Sequence, residues 1–188
     1  MNGTVSADPR HKTGGNPLSL SIYDVSVPVL TRGLNILSTY LDKAEAHTKE
    51  KGIDPSVIIH ARLFPDMLPL SGQIQRASDT SKAAMGRLTG VEMPSFPDTE
   101  QTFGELKERL AKTVTFLQSV DRKAFEGSEE RKVEMKFGSD PVVLSGATFA
   151  LSFMIPNFFF HVTTAHDILR HNGVPIGKRD YLGPFDKV

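Results

Sequence analysis

The sequence predicts an all-α fold, a four-helix bundle with a small β-hairpin inserted between the third and fourth helices. Four long segments carry apolar residues at three- and four-residue steps, the spacing of one helix face. Between residues 131 and 144 the apolar residues instead alternate with charged ones, the spacing of a strand. Amphipathic helices of this length bury their apolar stripes against one another, which favours a bundle.

The first helix is predicted from Ser21 to Lys51, because its apolar stripe starts and stops there. Gly52 follows and is expected to take the left-handed cap conformation. Pro28 lies inside this segment and predicts a kink or a late helix start. The dipeptide Asp54-Pro55 is typical of a helix start, and we expect a short helical turn from there to about His60.

The second helix is predicted from Asp66 to Leu88, with Gly90 ending it. The third follows Thr102, since Thr102 and Glu105 have the spacing of a capping box. Five charged residues of the third helix are interpreted as an ordinary solvated face: Glu105, Lys107, Glu108, Arg109 and Lys112.

The hairpin is predicted to lie at the edge of the bundle, because a two-stranded hairpin is marginal without packing. Residues 138–141 supply its turn. Three apolar residues should face the bundle (Val133, Met135 and Phe137), while Lys132, Glu134 and Lys136 should face water. The fourth helix is predicted over residues 146–172, with Pro156 depriving the Ser152 carbonyl of its usual helical donor.

Length and composition narrow the functional classes. The 188 residues suit one domain over residues 17–188, preceded by a disordered tail over residues 1–16. The 22 basic residues balance 22 acidic ones, so nucleic acid is not an expected partner. The chain has no cysteine, which excludes thiol catalysis and thiolate metal sites. Neither a signal peptide nor a membrane span is recognisable, so a cytoplasmic protein without a membrane partner is expected.

His161 is the leading candidate for chemistry. At helical spacing it shares a face with Met154, Phe158, Ala165 and Ile168. A histidine in such a place is either a hydrogen-bonded core residue or a general acid–base whose pKa is tuned by burial and by a nearby carboxylate. The residue pattern leaves both readings open.

Residues on the first two helices are the expected partners of His161. Asp66 is the candidate carboxylate, with helix initiation as its alternative role. Gln73 is a candidate for ligand recognition, because local structure gives its amide no other task. Tyr23, Tyr40 and Phe158 are further candidates for ligand binding, although Tyr40 and Phe158 also fit the core stripe. For Asp79 we expect a surface ion pair with Lys82 at i,i+3 spacing.

Two segments resemble a known family. PDMLPLSGQIQRASDTSKAAMGRLTG (65–90) and PNFFFHVTTAHDILRHNGVPIGKRDYLG (156–183) resemble the DUF1993 family, relatives of the DinB/YfiT-like helical bundles. The resemblance covers about residues 20–185. It implies a DinB-like bundle, and members of that wider group often hold a divalent metal with three histidines or act as thiol-dependent transferases.

The sequence departs from that metal pattern. Asn157 stands four residues before His161 and Ala165 four residues after it. His166 is five residues away, rotated by about 140° around the helix, so it cannot share an ion with His161 on the same face. His60 could add one ligand from elsewhere, but helix four alone cannot assemble a three-histidine site. We therefore expect neither a metal nor another cofactor.

The sequence thus favours a small-molecule-binding protein, in its sharpest form a metal-independent acid–base enzyme of isomerase, cyclase or lyase type. Its ligand would be an apolar or aromatic metabolite, of the kind met in secondary metabolism. One alternative is a non-catalytic ligand-binding or structural dimer protein, and another is a DinB-like metal-dependent transferase. We also expect a two-fold homodimer through helix faces.

Overall fold

The computed structural model describes residues 20–184, so the tail predicted for residues 1–16 lies outside the described part. In chain order the helices are α1 (Ile22–Lys51), α2 (Pro55–Ile59), α3 (Leu70–Thr89), α4 (Phe103–Ser119), a 3₁₀ turn (Arg122–Phe125), α5 (Gly146–Thr148), a π-helical segment (Phe149–Met154), α6 (Ile155–His171) and α7 (Lys178–Leu182). Two antiparallel strands, β1 (Lys132–Phe137) and β2 (Asp140–Ser145), precede α5. The helices that are described include none long and apolar enough to span a membrane.

Four long helices enclose the core. α1 packs against α4 and α6, and α3 packs against the same two helices from the other side. The central stripe of α1 is fully buried, with Leu30, Leu34, Leu37, Tyr40 and Leu41 all at 0% exposure. Each such leucine contributes about 2 kcal/mol through removal of its surface from water. The mainly helical fold with one small hairpin is therefore confirmed.

The helix ends follow the predicted signals. Ser21 and Asp24 form a capping box at the start of α1, and Thr102 and Glu105 form the predicted one at the start of α4. Gly52 and Gly90 adopt left-handed conformations, with φ of 65° and 81°, where α1 and α3 end. A glycine adopts this conformation without the steric cost that a Cβ would impose. Pro28 lies inside α1, which continues through it.

The start of α3 corrects one prediction. The helix begins at Leu70, four residues later than expected, and Pro69 is its N-cap residue. Asp66 lies in the preceding turn and is exposed. The backbone N–H of Leu70 donates to the Ala61 carbonyl at 2.9 Å, which closes residues 61–70 into a separate loop. Proline constrains the residue before it to extended backbone, so Pro69 delays the helix.

The hairpin packs as predicted. Val133 is buried and Met135 half-buried, whereas Lys132, Glu134 and Lys136 are exposed. The side chain of Phe137 lies outside the described set. The turn is tighter than predicted, because β2 already begins at 140 and leaves only Gly138 and Ser139 between the strands.

The last long helix is not regular throughout. The predicted single helix over residues 146–172 consists of α5, the π-helical segment and α6. Within the π segment the chain makes wider turns, and the N–H of Ile155 donates to the Ala150 carbonyl five residues back. Pro156 follows directly and has no N–H to give, which explains why the regular hydrogen-bond ladder is lost at this point.

Arg109 overturns the prediction of a solvated face on α4. Its side chain is 1% exposed and forms ion pairs with Asp79, Asp98 and Glu100 at 2.8–2.9 Å. Lys82, only 7% exposed, pairs with Asp79 at 3.1 Å, so this pair is confirmed but is not a surface contact. Because an unpaired buried charge is very costly, these carboxylates bind the loop between α3 and α4 to both helices.

Close packing between α1 and α6 gives a stability prediction. A Cβ added at Gly33 would lie 2.3 Å from Cε1 of Phe158, closer than any side-chain contact allows. We expect Gly33→Ala to lower the free energy of unfolding by about 1–3 kcal/mol, as overpacked cores do. Gly104→Ala is the matched control, because Gly104 is exposed on α4 with its nearest neighbouring atom 3.9 Å away.

Urea unfolding of the two variants checks this prediction. The control should match the wild type or exceed it by up to about 1 kcal/mol through helix propensity. A Gly33→Ala protein as stable as the control would contradict the close α1–α6 contact.

Candidate functional site

Two side-chain hydrogen bonds cross between α3 and α6, and together they define the α3–α6 seam. Gln73 Oε1 lies 2.8 Å from Nδ1 of His161, and the amide of Asn157 donates to Oγ1 of Thr80 at 2.8 Å. Gln73 and Thr80 are two turns apart on α3, while Asn157 and His161 are one turn apart on α6. Both pairs therefore lie along the contact between the helices.

The Gln73 amide selects the tautomer of His161. Its Nε2 donates to the Leu68 carbonyl at 3.0 Å, which leaves Oε1 to face the imidazole. An amide oxygen only accepts, so Nδ1 of His161 must carry the proton. In the neutral ring the lone pair then lies on Nε2, which has no hydrogen-bond partner among residues 20–184.

The surroundings keep His161 uncharged. Burial between the helices, together with the positive charge of Arg76, lowers the pKa of His161 from 6.5 to about 4. Removing a cation from water disfavours it, and a neighbouring cation adds to the effect. At neutral pH the side chain is therefore a neutral imidazole with an available acceptor nitrogen.

An exposed phenylalanine borders the imidazole. The ring of Phe160 meets that of His161 edge to face with centroids 5.4 Å apart, and Phe160 is 56% exposed. Leu68, whose carbonyl holds Gln73, is also exposed. Exposed apolar groups beside a desolvated polar group are typical of ligand sites.

Gln73 contacts His161, whereas Asp66 does not bond to it. Gln73 is 1% exposed and holds the histidine directly. Asp66 makes no hydrogen bond or ion pair with His161, because the late start of α3 leaves it in an exposed turn. The partner of the imidazole is thus an amide and not a carboxylate.

The other three candidate ligand-binding residues, Tyr23, Phe158 and Tyr40, each make a different contact in the structure. Tyr23 packs edge to face against Phe125 with centroids 5.4 Å apart. Phe158 is fully buried against α1. Tyr40 is also fully buried, and its ring lies 5.6 Å from that of His166, with burial raising the pKa of its hydroxyl.

Sequence reasoning missed Arg76. It lies on α3 one turn after Gln73, and its Nη2 forms ion pairs with Asp79 at 3.2 Å and with Asp98. The spacing of Gln73, Arg76 and Thr80 along one helix edge was the available signal, since these three positions follow each other at helical steps.

The metal site implied by the resemblance does not fit these residues. Nδ1 of His161 is engaged by Gln73, and the positions one turn away hold Asn157 and Ala165. Within the described range, no group of three or more histidine, aspartate or glutamate side chains could hold an ion. The donor set differs from three imidazoles, so the residues present do not fit the implied metal site.

An open groove of about 710 Å³ lies elsewhere, between the α3–α4 loop and α4. Its apolar lining includes Met93, Phe96 and Phe116, but neither His161 nor Gln73. Because it lacks a desolvated acid–base group, we assign the candidate chemistry to the α3–α6 seam.

Comparison with known proteins identifies the family. The sequence profile described as "Domain of unknown function (DUF1993)" matches residues 22–182. The chain belongs to the DUF1993 family. A crystal structure of a DinB family member protein from Shewanella denitrificans, at 1.83 Å resolution, is similar to this DUF1993 protein with a TM-score of 0.82. The two are 37% identical, over 89% of this chain and 94% of that chain. No curated protein matches the sequence.

The lowered pKa of His161 predicts a pH dependence of stability. The unfolded chain binds the proton near pH 6.5 but the folded protein only near pH 4, so stability from the neutral imidazole is complete above 6.5 and is lost as pH falls toward 4. We expect this loss to be on the order of 2 kcal/mol after allowing for partial exposure.

Chemical unfolding at pH 7.5 and pH 4.5 measures the effect, with His161→Asn as reference for all other titrating groups. The wild type should lose more stability than the variant over this interval. Equal losses in both proteins would show that His161 is not held neutral by its surroundings.

Proposed function

We propose that this DUF1993 protein is a small-molecule-binding enzyme that uses His161 as a metal-independent acid–base group on an apolar or aromatic metabolite. The observation that carries the proposal is the Gln73–His161 hydrogen bond, which fixes the protonated nitrogen and leaves Nε2 free. The four long helices would form a DinB-type four-helix bundle that supports this site, and the protein would act in the cytoplasm.

The chemistry follows from the state of the imidazole. Nε2 accepts a proton from an acidic C–H or O–H of the substrate, such as a C–H next to a carbonyl. The C–H electron pair becomes the enolate, while the proton rests on His161. Returning that proton to another carbon completes an isomerisation, and loss of a leaving group from the enolate completes an elimination.

The low basicity of His161 restricts the substrate. A general base works best when its pKa lies near the working pH, and a pKa of about 4 is well below it. His161 therefore suits substrates whose proton is already acidic, or substrates whose binding raises the pKa of His161. The exposed ring of Phe160 supports an aromatic or apolar body beside the reacting atom.

A second candidate function is non-catalytic binding at the same seam. The full hydrogen bonding of Gln73 favours it, because a rigid amide–imidazole pair is also a recognition element. Homodimer formation through helix faces belongs to either function and would be seen as a dimer mass in light scattering.

Hydrogen exchange tests the enzymatic proposal without a known product. Aromatic ketones and aromatic carboxylic acids with acidic C–H groups are incubated with the protein in D₂O, and NMR follows the loss of the C–H signal. We expect catalysed exchange for at least one compound, and a 10²–10⁴-fold slower rate for His161→Asn, as for loss of a general base.

Thermal unfolding of the same variant provides the control, because His161→Asn keeps a polar side chain at the seam. If exchange proceeds as fast with a folded His161→Asn protein, His161 is not the base. If no compound exchanges while ligands still shift the His161 resonances, the non-catalytic binding function replaces the enzymatic one.

A further inference from the structure

We infer that Arg76 makes the α3–α6 seam selective for anionic ligands, and that the ligand class is an aromatic carboxylate. This inference rests on the proposed function, since it concerns the same site. It goes further by naming the group that binds the charged end of the ligand.

Arg76 lies on α3 between two residues that bond to α6. Gln73, one turn before it, bonds to His161, and Thr80, one turn after it, bonds to Asn157. The base of the Arg76 side chain therefore lies between two contacts with α6. The positive charge of Arg76 also acts on the His161 ring, which is consistent with this position.

Two nitrogens of Arg76 remain available to donate hydrogen bonds to a ligand. Both of its ion pairs, with Asp79 and with Asp98, run through Nη2. Nε and Nη1 have no hydrogen-bond partner in the part of the chain that the structure describes. Its side chain is 42% exposed, against 7% for Lys82 and 1% for Arg109. Of these three cations, Arg76 is the accessible one.

The neighbouring carboxylates balance the charge of this cluster but leave two nitrogens of Arg76 unbonded. Asp79 also pairs with Lys82 and Arg109, and Asp98 also pairs with Arg109. Glu100 pairs with Arg109 as well. Three cations thus face three carboxylates and the cluster is neutral as a whole, so a ligand anion would be recognised by the open N–H groups of Arg76 and not by an excess of positive charge. The unused N–H groups of Arg76 can donate charge-assisted hydrogen bonds to a ligand carboxylate.

An anionic ligand would also favour the proposed chemistry. Its negative charge would offset Arg76 and stabilise the imidazolium, which raises the basicity of His161 when the substrate is bound. Phe160 provides the aromatic contact next to His161. A neutral ligand offers no such compensation.

A matched pair of probes tests the inference: 1-naphthoate and its neutral amide, 1-naphthamide. Titrations follow the imidazole resonances of His161 by NMR and give a Kd for each probe. We expect the wild type to bind 1-naphthoate about tenfold more tightly than the amide. Arg76→Gln should remove this preference, whereas Arg170→Gln, which alters an exposed arginine on α6, should keep it.

Each outcome decides the inference. Preference for the anion that depends on Arg76 and not on Arg170 supports it. Equal Kd values for both probes, failure of 1-naphthoate to shift His161, or an unchanged preference in Arg76→Gln overturns it.

The outcomes that would overturn the acid–base function differ from those that would overturn the anion site. If 1-naphthoate selectivity is found but no compound exchanges in D₂O, the anion site stands and catalysis is wrong. If exchange depends on His161 but neither probe is preferred, catalysis stands and the anion site is wrong.

Discussion

The structure depends on the pairing of polar side chains that α3 carries into the interior. An unpaired polar group between helices costs about 1–3 kcal/mol, so each one fixes how α3 meets a neighbour. Ser78 lies 2.7 Å from Thr113 on α4, and Gln73 and Thr80 meet α6 on the other side. These contacts hold α3 in one register between two helices, which apolar packing alone would specify less strictly.

The same need to pair buried polar groups also determines the arrangement of the candidate site. The late start of α3 brings the Leu68 carbonyl to the Gln73 amide, and that amide in turn orients His161. On the α4 side, the buried Arg109 holds Asp98 of the connecting loop, and Asp98 binds Arg76. Two separate chains of contacts therefore lead to the two groups, one through Gln73 to the imidazole and the other through Asp98 to the guanidinium.

Much of this architecture was predictable because its signals are local. Capping residues, glycines at helix ends and two-residue alternation act over a few positions, and they correctly gave the capping box of α4, the ends of α1 and α3, and the hairpin. Gln73 was singled out because local structure gave its amide no other task, although its Nε2 donates to the Leu68 carbonyl five residues earlier.

The sequence predictions that failed concern residues whose partners are distant in sequence. Arg109 has the spacing of a solvated position, and only the meeting of three carboxylates from α3 and the loop reveals it as buried. Tyr40 is buried, as its fit to the core stripe allowed, but its aromatic neighbour His166 on α6 could not be read from the sequence. The π-helical segment before Pro156 was missed because proline predicts a lost hydrogen bond but not how the chain adjusts to it.

The central claim is that Gln73 holds His161 as a neutral ring with its proton on Nδ1. Nitrogen-15 NMR of the imidazole at pH 7 tests this directly, because it distinguishes the two neutral tautomers from each other and from the imidazolium. The account predicts a protonated Nδ1 and an unprotonated Nε2 in the wild type, and loss of this single-tautomer state in Gln73→Leu. A proton on Nε2 at pH 7, as the other tautomer or as imidazolium, would contradict it.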